Sequence, residues 1–508
     1  VKKMEADVVV ISAGTAGLPA AVTAAEGGAS VIVFEKRSFT GGTGNVGSQV
    51  TGVGSRLQRE QGITLTSAEL FKIHMDYTHW RVDARLVKAF YDNCGQTIDW
   101  LEKEGIELAG IMPPHHRSIY PVTHGMVGGT HMVMKTLTDR AGELGVPILL
   151  KTPVQKIIKE GGRITGVVAK DEFGEEIRVK AKAVVIATGG FGANKEMVRK
   201  YTGYELGKDI YSFRISGITG DGIRMAWEVG AARTEMTMQL IFSVPQPYHG
   251  PIGASFDFAA LFEPCIIMVN LLGERFVGEE SISDTTFGGN AIARQKDRVA
   301  ITIIDDDTRK YCEAKGVGKF PGGEQTRRRS MSEETEKFVK EKARWALAKE
   351  LKETGDETLD ILIQRARDKG YKHLFMANSL EELCAQTGMD PNGLKATIDE
   401  YNKFCEAGSD PIFNKKPGNL RPVKKPPFYA ARVYPSAYGT LGGIKINHKM
   451  KVVDEQFRVI PGLYAAGVDA NAMYGDSYTR FIGGNTQGFA LTSGRLAGLN
   501  ALEYIKTV

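Results

Sequence analysis

The sequence predicts an α/β architecture: a parallel sheet built from both ends of the chain, with a foreign α+β segment inserted between them. Three observations lead there. Residues 8–36, VVVISAGTAGLPAAVTAAEGGASVIVFEK, read as strand, tight turn, small-residue helix and second strand. Later apolar runs also end in glycine clusters, at ATGG (187–190) and AAG (465–467). Between about 235 and 425 that rhythm is replaced by scattered short strands and charged helices, and strand character resumes near Phe428.

Each element has a local reason. Val8–Ile11 is a continuous β-branched run, as a parallel strand buried on both faces requires. The next helix carries Ala16, Ala20, Ala21, Ala24 and Ala25, small enough for close packing on the sheet. Val31–Phe34 is the second strand, ended by Glu35. Residues 66–150 read as mainly helical, followed by alternating strands in which GEEIRVKA is a hairpin arm around Gly174. Val184–Ala187 is another buried strand, ending in Thr188, Gly189 and Gly190. The block near 330–369 opens with a Ser330–Glu333 capping box and reads as an exposed helical insertion. SLEELCAQTG, GLKATIDEYNKFCEAG and the last segment, TQGFALTSGRLAGLNALEYI, are helices. The expected division is 1–235 and 426–508 as two parts of one nucleotide-binding domain, with 236–425 as an inserted cap.

Composition narrows the function classes. At 508 residues the chain exceeds one ordinary core. A net charge of +5 gives no argument for nucleic acid, and Arg327, Arg328 and Arg329 read as a solvated helix start. The five cysteines form no C-x-x-C pair, so no zinc or iron–sulfur site is expected, only buried free thiols. No apolar run approaches the roughly 20 residues of a membrane span. His115, His116, His124 and His249 read as solvated loop residues. No signal peptide is visible. A cytoplasmic location is expected, with export left open because the chain begins at Val1.

The chemistry begins with the first turn. It is G-x-G-x-x-G with Ser12 in place of the first glycine, followed by Gly14 and Gly17. The helix N-terminus there offers N–H groups and a positive dipole end to a pyrophosphate. Glu35, about 20 residues beyond the glycines, can accept hydrogen bonds from a ribose. A serine at positive φ costs roughly 1–2 kcal/mol. The intact remainder of the motif argues that Ser12 avoids that conformation and can turn its hydroxyl to a phosphate. ATGGFGANKEM, TGDG (219–222) and GLYAAGVDA supply further glycine turns after apolar runs. An extended FAD needs them and a nicotinamide nucleotide does not.

Together these segments, with IMVNLLGERFVGEE, TIDEYNKFCEAGSDPIF, PFYAARVYPSAYGTLGGIKIN and GGNTQGFALTSGRLAG, resemble the flavoprotein family of fumarate reductase and succinate dehydrogenase. That family includes flavocytochrome-type fumarate reductases, urocanate reductases and 3-ketosteroid dehydrogenases, and the resemblance covers nearly the whole chain. It implies a Rossmann-like, discontinuous FAD-binding domain with an inserted cap. By that resemblance Ser12, Gly14, Ala16 and Gly17 line the pyrophosphate, and Glu35 and Lys36 the adenosine ribose. Gly42, Thr43, Gly44 and Asn45 approach the flavin. Val154 contacts adenine beside Ala187, Thr188 and Gly189, and Asp221 is a flavin contact. Gly467 and Asp469 flank Val468, which replaces the usual glutamate. Gly484, Asn485 and Thr486 open the last helix. TGGTGNVG lacks the histidine that tethers FAD in membrane-bound members, so the FAD is expected to be noncovalent.

The resemblance also implies hydride transfer between flavin and an activated C=C or CH–CH bond. Fumarate reductases carry a substrate arginine where this chain has Ser283, and histidines where it has Phe242 and Gly439. Their Thr-Glu-x-x-Arg proton relay is absent around FAALFEPC. YGTLGG is closer to the ketosteroid dehydrogenase pattern. Arg480, Tyr438, Tyr120 and Tyr478 are therefore the candidate catalytic groups with Ser283, and Gly439, Thr440 and Arg480 the candidate substrate contacts. The expected substrate is an α,β-unsaturated ketone or carboxylate larger than fumarate, and electrons come from a separate partner. A dehydrogenase working in the oxidative direction and a flavin electron-transfer subunit are the alternatives.

Overall fold

The computed structural model describes residues 1–47, 49–113, 118–212, 217–245, 251–252, 256–315 and 358–508. The Ser330–Glu333 capping box, Arg327–Arg329, His115, His116 and His249 lie outside the described residues. Of the expected 330–369 block, the helix Leu359–Asp368 is described.

The first sheet has eight strands. Lys2–Ile11 runs through its middle, parallel to Val31–Phe34 on one side and to Glu176–Ile186 on the other. Val459–Ala465 adds in parallel to Glu176–Ile186, and Ile148–Leu149 to Val31–Phe34. The hairpin Val154–Glu160 with Arg163–Lys170 pairs antiparallel onto Glu176–Ile186, as the Gly174 turn predicts. Ile11, Phe34, Ile186 and Ala465 therefore end side by side, and the glycine turns of the sequence gather at one edge of the sheet.

A seven-stranded sheet forms around the long strand Phe428–Leu441. That strand pairs with Thr237–Pro245, Ala300–Ile304 and Leu374–Ala377, and with the short Tyr211–Ser212. A third, three-stranded sheet joins Gln49–Thr51, Thr123–Met126 and Leu108–Ile111. These strands lie in or beside the stretch expected to be mainly helical. At three or four residues each they are too short to show a period of two. One apolar cluster draws on residues 6–240 and 437–502, and two others on residues 242–433. Cys94, Cys265, Cys312 and Cys384 are buried free thiols, and Cys405 is partly exposed. Among the described residues no helix is long and apolar enough to cross a membrane.

The contact that positions the site joins the helices Gly17–Glu26 and Asn485–Ile505. A Cβ on Gly494 would lie 2.1 Å from the Ala16 carbonyl oxygen, and one on Gly498 2.6 Å from that of Ala20. Only glycine lets the two backbones touch at this spacing. The contact lies close to the N-terminus of the first helix and near the middle of the second, and both helix starts line one cavity.

Candidate active site

The cavity has a volume of about 320 Å³. Gly14, Thr15 and Ala16 form its wall at one helix start, and Gly484, Thr486 and Gln487 at the other. Neither helix has a side-chain cap on its first turn, so both present N–H groups and positive dipole ends that suit an anion.

At one end Glu35 is 5% exposed and locks the first turn. Its Oε2 accepts from the Ser12 hydroxyl at 3.0 Å and the Ala13 N–H at 2.9 Å, and its Oε1 from the Arg37 N–H at 2.9 Å. Ser12 does not avoid the left-handed region as expected: its φ is +92°. Its hydroxyl turns back to Glu35 rather than toward a phosphate. The motif still requires the conformation a glycine would supply, and the Ser12–Glu35 bond offsets part of the strain. Gly17 does not line the cavity. A Cβ there would sit 1.8 Å from the Ser12 carbonyl oxygen, so its role is close packing of turn on helix.

Lys36 donates to Asp221 Oδ2 at 2.7 Å, and Arg224 to Oδ1 at 2.8 Å. Burial works against the Asp221 carboxylate, but Lys36, Thr219 and Arg224 hold its pKa below the ordinary value. The resemblance made Asp221 a flavin contact; here it shares the Glu35–Lys36 end of the cavity. Val154 lines that end beside Thr152 and Pro153. Ala187, Thr188, Gly189 and Gly467 also lie on the wall, as do Gly42 and Thr43. Gly44, Asn45 and Asp469 do not. A Cβ on Gly44 would meet Thr15 and Met134, and Asn45 donates to the Thr40 carbonyl. Asp469 is fully buried behind the wall, accepting from Thr188, Gly189 and Gly190 (2.8 Å for Gly190). It clamps the ATGG turn from below. Burial raises its pKa against those hydrogen bonds.

Asn485 is also turned away from the cavity. Burial pushes His74 down to about 4, so its ring is neutral. Its Nε2–H donates to the Met473 carbonyl at 2.7 Å, which leaves Nδ1 to accept from the Tyr91 hydroxyl at 2.8 Å. Asn485 Nδ2 then donates to the Tyr91 oxygen at 3.1 Å, and the Tyr474 hydroxyl donates to Asn485 Oδ1. This chain fixes the first residue of the last helix and, through Tyr474, the ring of Tyr478 at 5.2 Å. No local pattern marks this network, because His74 and Asn485 are over 400 residues apart.

The far end of the cavity gathers Arg480, Tyr438, Tyr478, Gly439, Gln239 and Thr486. Gln239 had no motif to mark it; it donates to the Thr486 hydroxyl at 3.1 Å and faces Gly439. Tyr438 and Tyr478 stand edge to face at 6.4 Å. Arg480 is half-buried because it faces the cavity. Burial opposes its charge, but Tyr438, Tyr478 and Asp284 together raise its pKa above the ordinary value, with a hydrogen bond to Tyr438 among the causes. Three other candidates are elsewhere. Tyr120 is off the cavity wall and packs on Phe481 at 6.1 Å. Ser283 ends the turn Glu279–Ser283, off the wall. Thr440 is buried and accepts from the Phe191 N–H at 3.3 Å. His124 is no loop residue either: it is fully buried on the strand Thr123–Met126, 2.8 Å from the Ser55 hydroxyl.

The wall suits an extended dinucleotide with a diphosphate at its middle. Two uncapped helix starts face one space, an acid and a cation–acid pair stand at one end, and a Cβ on Gly42 would meet nothing within 4 Å. The comparisons agree. The chain is 31% identical to a vinyl phenol reductase of Lactiplantibacillus plantarum, over 98% of this chain and 96% of that protein. It is 27% identical to a urocanate reductase of Eggerthella lenta, over 98% of this chain and 74% of that protein. The open conformation of a flavocytochrome c3 fumarate reductase superposes with a TM-score of 0.68 at 26% identity, covering 99% of this chain and 79% of that one. The family described as FAD binding domain matches residues 7–485. The chain belongs to this FAD binding domain family and is an FAD-dependent oxidoreductase.

Proposed function

We propose that this protein reduces a C=C bond conjugated, directly or through a ring, to a single oxygen function on a substrate larger than fumarate. Bound noncovalently, FAD supplies the hydride. The chain's own residues hold the substrate and manage its charge. The observation that carries the reading is Arg480 on the cavity wall, hydrogen-bonded to Tyr438 and flanked by Tyr478. Hydride addition to the carbon β to a ketone or carboxylate, or to the quinone methide formed when a vinylphenolate takes up its proton first, sends negative charge to the conjugated oxygen. A guanidinium and two phenol hydroxyls placed in advance stabilise that charge without reorganising.

Fumarate brings two carboxylates, and each needs a charged partner when buried. Among the described residues lining this end, Arg480 is the single cation; Lys36 and Arg37 line the opposite end with Glu35. The similarity to a vinyl phenol reductase supports a substrate with one oxygen on an aromatic body. On this reading electrons reach the flavin from a separate donor. The test is anaerobic: the flavin is reduced chemically, and its reoxidation is followed with 4-vinylphenol, a hydroxycinnamate, urocanate, a conjugated ketosteroid and fumarate. Fast reoxidation by one of the single-oxygen substrates and none by fumarate is expected. Rapid reoxidation by fumarate refutes the proposal.

A further inference from the structure

Far from the cavity wall, the apolar cluster between Phe242 and Val433 holds two thiols in contact. Cys265 and Cys312 are 6% and 1% exposed. Their sulfurs lie 3.7 Å apart, although 47 positions separate them in the chain. Cys265 belongs to the turn Glu263–Ile266, closed by the Ile266 N–H on the Glu263 carbonyl at 3.1 Å, just before the strand Ile267–Val269. Cys312 is on the helix Asp306–Ala314. Each side is anchored by its own contacts. Lys415 donates to the Ile266 carbonyl at 2.6 Å, and Asp305 caps the helix by accepting from the Thr308 N–H at 2.9 Å. Two sulfurs that already touch need only side-chain rotation to reach bonding distance. Cys94 is as deeply buried, but its sulfur meets the Val53 N–H at 3.3 Å instead. Glu263 and Pro264 are half-buried, so the turn reaches the surface and Cys265 follows directly beneath it.

We propose that Cys265 and Cys312 are a dithiol oxidised reversibly by hydrogen peroxide, and that their disulfide staples the helix Asp306–Ala314 to the turn Glu263–Ile266. Neither FAD nor the unsaturated substrate enters this chemistry. The Cys265 sulfur attacks one oxygen of the peroxide. The O–O bond breaks, the leaving hydroxide takes the thiol proton and departs as water, and Cys265 becomes a sulfenic acid. The Cys312 sulfur then attacks that of Cys265. The S–S bond forms, the S–O bond breaks, and a second water leaves with the Cys312 proton. The sum is two thiols oxidised by two electrons and one peroxide reduced to two waters. The order of attack follows from the hydrogen bond between the thiols. Donated by Cys312, it holds the Cys265 pKa below the ordinary value against burial, and the Lys415 charge helps. The same bond and burial raise that of Cys312. Cys265 therefore attacks and Cys312 resolves.

The test treats the reduced, FAD-loaded full chain with stoichiometric hydrogen peroxide, alkylates the remaining thiols and maps the peptides by mass spectrometry. The wild type is expected to lose two of its five free thiols. Its digest should contain one peptide pair joined through Cys265 and Cys312, and dithiothreitol should restore both thiols. Cys312→Ser should stop at the sulfenic acid on Cys265, trapped by dimedone, whereas Cys265→Ser should leave Cys312 unreacted. The cross-linked wild type should melt at least about 2 °C above the reduced protein, since the bridge closes a long loop of the unfolded chain. Cys265 and Cys312 both still free after peroxide, or joined to other cysteines, overturn the proposal. So does a cross-linked protein that melts with the reduced one, because a bridge without that effect is no staple. If either serine variant fails to fold, the wild-type peptide map and melting decide by themselves. The outcome is separate from the functional reading, which stands or falls on flavin reoxidation.

Discussion

Arg480→Ala removes the one charged donor among the described residues at the acceptor end of the cavity. Loss of a single preorganised donor to a developing oxyanion costs roughly 2.7–4 kcal/mol of transition-state stabilisation. Tyr438 and Tyr478 remain on the wall and still offer hydroxyl donors, which places this variant at the lower limit. The expected loss is therefore about 100-fold in substrate-dependent flavin reoxidation, or about 2.7 kcal/mol. FAD affinity should hold, because Glu35 and the Lys36–Asp221 pair at the opposite end are untouched. Arg480→Lys keeps the charge but loses the planar fork that meets Tyr438 and the substrate oxygen together, so a smaller loss of about tenfold is expected. Stopped-flow reoxidation at saturating substrate measures the rate, and flavin fluorescence titration the affinity. An Ala variant within about fivefold of the wild-type rate would refute the reasoning and move the anchor to the two tyrosines.

Ser12→Gly removes both the left-handed strain and the hydroxyl bond to Glu35, while Ser12→Ala keeps the strain and loses the bond. The Gly variant should bind FAD within about tenfold of the wild type, about 1.4 kcal/mol, and the Ala variant should be the less stable of the two by denaturant titration. Equal stability would mean the turn is unstrained. His74 and His124 are both pushed down to about 4 by burial, so they stay neutral in the fold, whereas the unfolded chain takes up protons below about pH 6.5. Stability is thus complete above pH 6.5 and falls as pH drops toward 4, by about 2 kcal/mol per histidine at pH 5. Urea titrations at pH 7 and pH 5 check this, and His74→Gln should remove about half of the difference, leaving the part that His124 contributes; an unchanged difference contradicts the assignment. Acid precipitation should release all the FAD into the supernatant, and colour left in the pellet would show a covalent link.

Much of the nucleotide-binding architecture was legible because it is written in neighbouring residues. A β-branched run, a glycine turn, an alanine-rich helix and a terminal acid follow one another within residues 8–36, and each has a local cause. The same holds for the Gly174 hairpin and for the long last helix. Side-chain direction is different, since it depends on what arrives from elsewhere in the chain. Asp469 stands beside the place of the family's usual glutamate, but Thr188, 281 residues away, meets its carboxylate first. Asn485 opens the right helix, yet Tyr91 and Tyr474 take its amide. Tyr120 and Tyr478 were equal candidates until only Tyr478 came to the cavity wall beside Arg480. Gln239 reached that wall because its strand pairs with Phe428–Leu441, nearly 200 residues further on. The sequence by itself determined the first strand–turn–helix–strand unit, the long last helix and, through the glycine turns and the family they resemble, the cofactor; the short strands Gln49–Thr51, Leu108–Ile111 and Thr123–Met126 and the left-handed Ser12 escaped it. Only the tertiary structure decided which polar groups face the cavity and which are spent holding its wall, because a side chain's partner is set by long-range strand pairing and helix packing that no local pattern records.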